Sequence, residues 1–160
     1  MTYDFLIIGA GAAGANCAYT LKQAGKSVAV VDKEGIAKGA SGAAGAFLSP
    51  LPGKKNSYNS LVNDALAYSL DFYEKLMPKL ITKKGVLRVS NDNFDKTKLD
   101  GNALKHKVLK FKNIEGYYYA DAAIVNPVDI CNYLLKDCDF YQEDIQELNF
   151  KDGYYIFKNF

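Results

Sequence analysis

The chain has no tryptophan, one histidine, three cysteines, two methionines and four prolines in 160 residues. A single histidine, His106, set among lysines, is a poor basis for a histidine-driven hydrolytic triad. There is no CxxC pair, so a structural zinc site is not expected. Cys17, Cys131 and Cys138 are odd in number and scattered. That usage suits reduced, mostly buried thiols of a cytoplasmic protein better than a disulfide framework. Long apolar runs are also missing. Phe5 to Ile8 falls far short of the roughly 20 residues that a membrane span needs. No basic segment precedes that run, so no signal peptide is expected. What remains is the composition of a soluble globular domain, 49% apolar and 24% charged.

Acidic residues are scarce in one region. Lys75 to Lys112 holds 11 Lys/Arg against 3 Asp/Glu, whereas Asn113 to Phe160 holds 3 against 9. The net charge of +2 therefore hides two faces of opposite sign. The plain reading is a pair of solvated surfaces. The functional reading is a basic surface for an anionic partner such as RNA.

Glycine and alanine are plentiful where they matter. Phe5-Leu6-Ile7-Ile8 reads as a buried central parallel strand. Gly9-Ala10-Gly11-Ala12-Ala13-Gly14 follows at once and forms GxGxxG. A helical pattern runs from about Ala12 to Ala24, with Gly25 as its C′ glycine. Val28 to Val31 is a second buried strand ending at Asp32, 21 residues after Gly11. Gly9 permits the turn, Gly11 lets backbone approach a pyrophosphate, and Gly14 lets the helix sit close to the sheet. The helix N-terminus offers N–H groups and a positive dipole end to phosphate. A carboxylate at Asp32 suits ribose hydroxyls and disfavours a 2′-phosphate, hence NADP. The order strand, glycines, helix, strand, acid predicts an α/β, Rossmann-like FAD/NAD(P)-binding domain with a parallel central sheet.

After Lys33 the chain runs through Gly39-Ala40-Ser41-Gly42-Ala43-Ala44-Gly45-Ala46-Phe47-Leu48-Ser49-Pro50. Residues this small build little core but let backbone lie against a flat ligand. A flexible surface loop is the alternative. Together, DFLIIGAGAAGANCAYTLKQAGKSVAVVDK and GASGAAGAFLSP resemble the D-amino acid oxidase (DAO-type) family of FAD-dependent amine oxidoreductases. Within it, GASG, the Pro-Leu pair and a helix ending DFYEKL are similar to the FAD domain of the bacterial bifunctional enzyme that finishes the methylaminomethyl side chain of a tRNA wobble uridine. That group typically has Asn-Arg after GASG, where this chain has Ala43-Ala44.

The resemblance implies non-covalent FAD. Gly9, Ala10, Gly11, Ala12, Ala13 and Gly14 would line the pyrophosphate, and Asp32 and Lys33 would meet the adenosine ribose and its edge. Ala40, Ser41 and Gly42 would follow the pyrophosphate and ribityl chain, with Ala44, Gly45 and Ala46 near the flavin ring. No His or Cys lies between Lys33 and Ser60, which excludes covalent flavin attachment there. The implied domains are 1–78 as the first part of the FAD-binding domain, 79–120 as part of an α+β substrate domain, and 121–160 as the return to the FAD-binding domain.

Further expectations concern single segments. Ser57 to Met77 is an amphipathic helix whose stripe of Leu61, Val62, Ala65, Leu66, Phe72, Tyr73, Leu76 and Met77 reads as core. Lys84 to Val89 reads as strand. Lys96 to Lys112 carries six lysines and reads as a surface segment with a short helix, or as an RNA-facing patch. Tyr117-Tyr118-Tyr119 reads as strand, with base stacking as the functional alternative. Asn126-Pro127 starts a helix, Cys138 to Tyr141 is a sheet strand, and Asp152-Gly153 turns a hairpin.

Members of the family are more than twice this length, and the substrate-carboxylate arginine, the lid and the pyrimidine end of the flavin site come from the half not seen here. The chain is expected to be an N-terminal part, completed by further sequence or by a partner chain. The expected activity is oxidation of a C–N bond in a small amine or a modified tRNA base, with no DNA partner, no metal and no catalytic acid or base assigned. The rivals are a dinucleotide-binding module without its own activity and a nonfunctional truncated product.

Overall fold

A computed structural model describes residues 1–53, 56–83, 85–89, 105–112 and 114–156. The chain divides into two compact units, Met1–Ala44 with the segment from Pro127 onward, and Gly45–Asn126. The helix expected in the first part of the cofactor domain, Ser57–Leu76, falls in the second unit.

The first unit is built on a parallel sheet in the order β1-β2-β9, with β1 Phe5–Ile8, β2 Val28–Asp32 and β9 Asp139–Gln142. β2 is the interior strand. It pairs Phe5↔Val28 on one side and Ala29↔Asp139 on the other, and Val28 to Val31 are buried. α1 (Ala12–Gln23) packs on this sheet through Ala15 and Ala18, both fully buried. Their methyl groups are small enough to bring the helix axis close to the strands. α1 ends as expected, with Gly25 at φ +75. Gly25 N–H donates to Lys22 O and Lys26 N–H to Leu21 O, the paired bonds of a glycine-terminated helix.

α4 (Pro127–Leu135) carries the chain into β9 and packs against α1 through Ile130, Cys131, Leu134 and Leu135. β10 (Asn149–Lys151) and β11 (Tyr154–Ile156) form the hairpin, with Asp152 and Gly153 at positive φ in the turn. The stretch 157–160 of that expected hairpin lies outside the described residues.

Two expectations need correction in this unit. The apolar run of β1 predicts a central strand, but among the described residues it is an edge strand, with Phe5 42% and Ile8 59% exposed. An uninterrupted apolar run implies burial on both faces but cannot say which neighbour supplies it. The cysteine usage predicts mostly buried thiols. Cys131 is, and burial pushes its thiol up, as it does for the half-buried Cys138, but Cys17 on α1 is exposed.

The second unit holds two antiparallel sheets, β3-β8-β4 and β5-β7-β6. In the first, β3 is Phe47–Leu48, β8 Ala123–Val125 and β4 Ile81–Lys83. In the second, β5 is Val86–Val89, β7 Ile114–Tyr119 and β6 Lys107–Phe111. The fold is thus the expected α/β sheet plus an α+β part. α3 (Ser57–Leu76) is capped by Asn56, whose Oδ1 accepts from Asn59 N–H at 2.9 Å. Its apolar stripe is core only in part: Met77 is buried and Val62, Leu66, Phe72, Tyr73 and Leu76 are half-buried, but Leu61 is 66% exposed, and the buried residue within the helix is Asn59. Asn59 is polar yet buried because Leu51 O accepts from its Nδ2 at 3.4 Å. Amphipathic spacing defines a face that seeks cover without identifying the cover.

Of the segment Lys96 to Lys112, in which a short surface helix is expected, the part 107–111 is the strand β6, and 96–104 lie outside the described residues. Lys84, at the start of the strand expected from Lys84 to Val89, lies outside them as well. Base stacking by the tyrosine triplet is also corrected: Tyr117 and Tyr119 are buried in β7. His106 is not a simple surface residue. Its ring packs against Tyr117 and Tyr119, with centroids 5.4 and 5.7 Å apart.

Candidate dinucleotide cradle

The site begins at the turn out of β1. Gly9 stands at φ +103, a conformation that residues with a Cβ rarely adopt. From there its N–H donates to Val31 O at 2.7 Å, tying the turn to β2. Ala10 is fully buried, and Gly11 is the extended N-cap of α1. A Cβ on Gly14 would lie 1.9 Å from Gly9 O, so only glycine lets the helix start this close to the strand end. Gly11 has a different neighbour. A Cβ there would meet Ser41 Oγ at 2.8 Å.

Asp32 closes the cradle from β2. Its Oδ2 accepts from Ala10 N–H at 2.8 Å, and its Oδ1 accepts from Glu34 N–H at 2.9 Å and Gly35 N–H at 3.1 Å. Burial raises the pKa of this carboxyl. The N–H groups of Ala10, Glu34 and Gly35, helped by the Lys33 charge, outweigh burial and hold it below the usual carboxylate value. A carboxylate has about four acceptor positions and three are used, which leaves one for a ligand hydroxyl. Lys33 itself points to solvent, 4.0 Å from Glu34.

α2 (Ala40–Ala43) is a single turn that brings Ser41 to the start of α1. Ser41 Oγ accepts from Ala12 N–H at 2.9 Å. Gly42 must be glycine, because a Cβ would lie 1.9 Å from Ala37 O. Gly9, Ala10, Gly11, Ala12, Asp32, Ser41 and Gly42 are thus held in one bonded unit, with Ala13 and Gly14 in the first turn of α1. The first N–H groups of any helix lack intrahelical acceptors. Ser41 takes that of Ala12, which leaves those of Ala13 and Gly14 at the helix mouth. Ala40 opens α2 and Ala44 caps its end, whereas Gly45 and Ala46 belong to the second unit.

Sequence reasoning missed three supports. Ala37 sits at φ +55, buried, and donates its N–H to Ala10 O at 3.0 Å. Gly35, at φ +108, makes the turn that aims a backbone N–H at Asp32. Gln142 on β9 reaches Lys33 O at 3.5 Å. The Glu-Gly pair after the strand-end aspartate signals the second of these; nothing local signals the other two.

A cavity of about 1010 Å³ runs along β1 and the hairpin, lined by Tyr3, Phe5, Ile8, Tyr141 and Tyr154 among others. None of Gly9 to Gly14, Asp32 or Ser41 lines it, so the cradle rather than the cavity carries the chemistry. Among the described residues no cluster of His, Cys, Asp or Glu gathers as metal ligands would, and no helix is long and apolar enough to cross a membrane.

The glycine turn, helix mouth and strand-end carboxylate have the form of a dinucleotide-binding site. A family model for FAD dependent oxidoreductases (DAO) matches residues 4–147, and the chain belongs to that family, whose cofactor is FAD. The chain is 27% identical over 162 residues to the tRNA 5-methylaminomethyl-2-thiouridine biosynthesis bifunctional protein MnmC of Campylobacter fetus, covering 97% of this chain and 26% of that protein. Its fold is similar to that of glycine oxidase from Bacillus cereus, with a TM-score of 0.75 at 22% identity over 94% of this chain and 50% of that one. Iminodiacetate oxidase from Chelativorans sp. BNC1 gives 0.72 at 20% identity, over 94% and 49%. The chain spans about a quarter of the first relative's length and about half of each oxidase.

Proposed function

We propose that this chain is the FAD-holding part of an oxidoreductase that oxidises a C–N bond in an amine or amino-acid-like substrate. The observation that carries the reading is the bonded unit formed by Gly9 to Ala12, Asp32 and Ser41. Gly9 to Gly14 would take the pyrophosphate, with the N–H groups of Ala13 and Gly14 as donors. The remaining acceptor position of Asp32 would take a ribose hydroxyl, with Lys33 at the adenosine edge. Ser41 would donate its hydroxyl proton to a phosphate while accepting from Ala12, since a hydroxyl can do both at once. Ala40 and Gly42 would follow the ribityl chain, with Ala44 near the flavin ring. Bound there, FAD supplies a hydride acceptor; the protein orients it and keeps water from it.

The half of the oxidases that this chain does not match would supply the substrate-facing side, from further sequence or from a partner chain. A finer reading makes the substrate the aminomethyl side chain of a wobble uridine in a cytoplasmic tRNA. It is supported by the relative's name and by the exposed lysines of the β6 region, Lys105, Lys107, Lys110 and Lys112. The Ala43-Ala44 departure counts against it. Salt-dependent retention of tRNA in a gel-shift titration would support this finer reading; no retention at low salt would remove it.

The test of the main reading is the visible spectrum of the purified chain, followed by denaturation and chromatographic identification of the released cofactor. Released FAD is the expected result. A colourless protein that ignores added FAD but binds NAD would overturn the reading.

A further inference from the structure

Lys38 stands beside the cradle as an exposed cation, and among the described residues neither ion pair involves it. The segment that carries it is held against the glycine turn from both sides. Ala37, buried at φ +55, donates its N–H to Ala10 O at 3.0 Å. Ser41 Oγ accepts from Ala12 N–H at 2.9 Å. Lys38 directly follows the first tether and comes three residues before the second, so its backbone is confined alongside Ala10 to Ala12. Its own N–H donates to Gly35 O at 3.2 Å, and a Cβ on Gly35 would meet its Cγ at 3.4 Å. The Lys38 stem therefore rests on the turn whose N–H groups serve Asp32.

The charges around the cradle explain why a cation is needed there. Gly9 to Gly14 have no charged side chain, and Asp32 to Ala46 carry two acids, Asp32 and Glu34, against two lysines, Lys33 and Lys38. Lys33 stands 4.0 Å from Glu34, and its charge helps to hold the Asp32 carboxyl below its usual value. Lys33 thus serves the two acids of its own turn. A pyrophosphate brings further negative charge to this place. The mouth of α1 answers with N–H groups and a partial charge of about half a unit, which is less than a full counter-charge. Lys38 is the other full positive charge on this segment, and its backbone is tied to the glycine turn.

We propose that Lys38 is the counter-ion of the cradle, its ammonium neutralising the pyrophosphate that Gly9 to Gly14 receive. An ammonium suits this task because it is a compact charge on a flexible stem and needs no fixed fork. The inference rests on the reading of the cradle as the FAD site, and it adds a side chain that recognises the phosphates.

ADP, FAD and adenosine would be titrated into the full chain, with adenosine as the control lacking phosphate. Melting temperature would report ADP and adenosine, and flavin fluorescence would report FAD. Lys38→Met keeps most of the stem and removes the charge. It should bind ADP and FAD about fivefold more weakly, and adenosine as the wild type does. Lys38→Arg restores the charge and should recover most of the loss. Added salt should narrow the gap between the wild type and Lys38→Met for ADP, because screening removes what the charge contributes. Lys26→Met, past the far end of α1, changes the net charge equally and should leave ADP binding unchanged.

Lys38→Met binding ADP like the wild type would overturn the assignment. So would an equal loss for adenosine and ADP, which would mark Lys38 as a support of the turn, or a wild type that binds neither ADP nor FAD. If the wild type and Lys38→Met retain FAD equally well, this inference falls and the proposed function stands. Lys38-dependent binding of ADP in a chain that ignores FAD would do the reverse.

Discussion

The two compact units hold their polar groups by opposite means. In the first, the chemistry is made almost wholly of backbone: Gly9 N–H to Val31 O, Ala37 N–H to Ala10 O, and three backbone N–H groups on Asp32. Side chains there are reduced to methyl groups or hydrogen so that backbone can close on backbone. In the second, large side chains meet across strands: Arg88, His106, Tyr117 and Tyr119 come together from three strands and their flanks. A backbone site tolerates no added atom at its tightest points. A side-chain cluster tolerates rearrangement but depends on the electrostatic match of its members. The two should therefore fail differently when altered.

The largest effect is expected in the backbone site. Gly14→Ala puts a methyl group 1.9 Å from Gly9 O; the turn cannot retreat without losing its bonds to β2, nor α1 without opening the packing of Ala15 and Ala18. The cost should be about 3 kcal/mol or more. Thermal unfolding should show a much lower melting temperature, with no FAD retained on purification. A variant as stable as the wild type would mean that α1 sits further from β1 than the geometry requires.

Asp32→Asn comes next and adds a pH signature. The amide can accept only through its oxygen, so at least one of the three N–H donors loses its partner, at a cost of about 2 kcal/mol. The carboxyl is held below its usual value in the folded chain. Its contribution to stability is therefore complete above the unfolded value of about 4 and is lost as pH falls through the lowered folded value. Chemical denaturation of both proteins between neutral and acid pH checks this. The gap between them should be constant at neutral pH and shrink only on the acid side. A gap independent of pH throughout would show that Asp32 acts here by packing rather than by charge.

The same contrast explains how much could be read in advance. The glycine turn, α1 with its terminal Gly25, β2 and the terminal Asp32 were legible because each is set by residues a few positions apart. Gly14 is glycine for a reason located five residues away. Likewise Asn126-Pro127 started α4 as local chemistry demands. What stayed hidden depends on distant partners. The stripe on α3 reads as core by spacing alone, yet Leu61 is exposed. His106 reads as a member of a lysine patch, yet β7 places it on two tyrosines. The resemblance places Ser41 along the pyrophosphate but does not reveal what its hydroxyl accepts. It accepts from Ala12 N–H, which needs α2 to fold back across nearly thirty residues to the mouth of α1.

Ser41 also provides the mildest test, because it is the one side chain in the cradle whose loss adds no clash. Ser41→Ala removes the acceptor of Ala12 N–H at a part-exposed position where water can substitute, so stability should fall by only about 0.5–1 kcal/mol. Its effect on FAD depends on what the hydroxyl does with its own proton. If Ser41 passes a hydrogen bond on to a phosphate, affinity should drop about tenfold, as for one bond to a charged group. If Ser41 only occupies an N–H that a phosphate would otherwise take, freeing Ala12 leaves affinity unchanged or raises it. Fluorescence titration of the wild type and Ser41→Ala with FAD separates the two, and the tenfold loss is the expected outcome. The hydroxyl can satisfy Ala12 and a phosphate together, whereas Ala12 alone replaces only one of those bonds. A small change in stability beside a larger change in affinity would make Ser41 the point where the backbone cradle borrows a side chain.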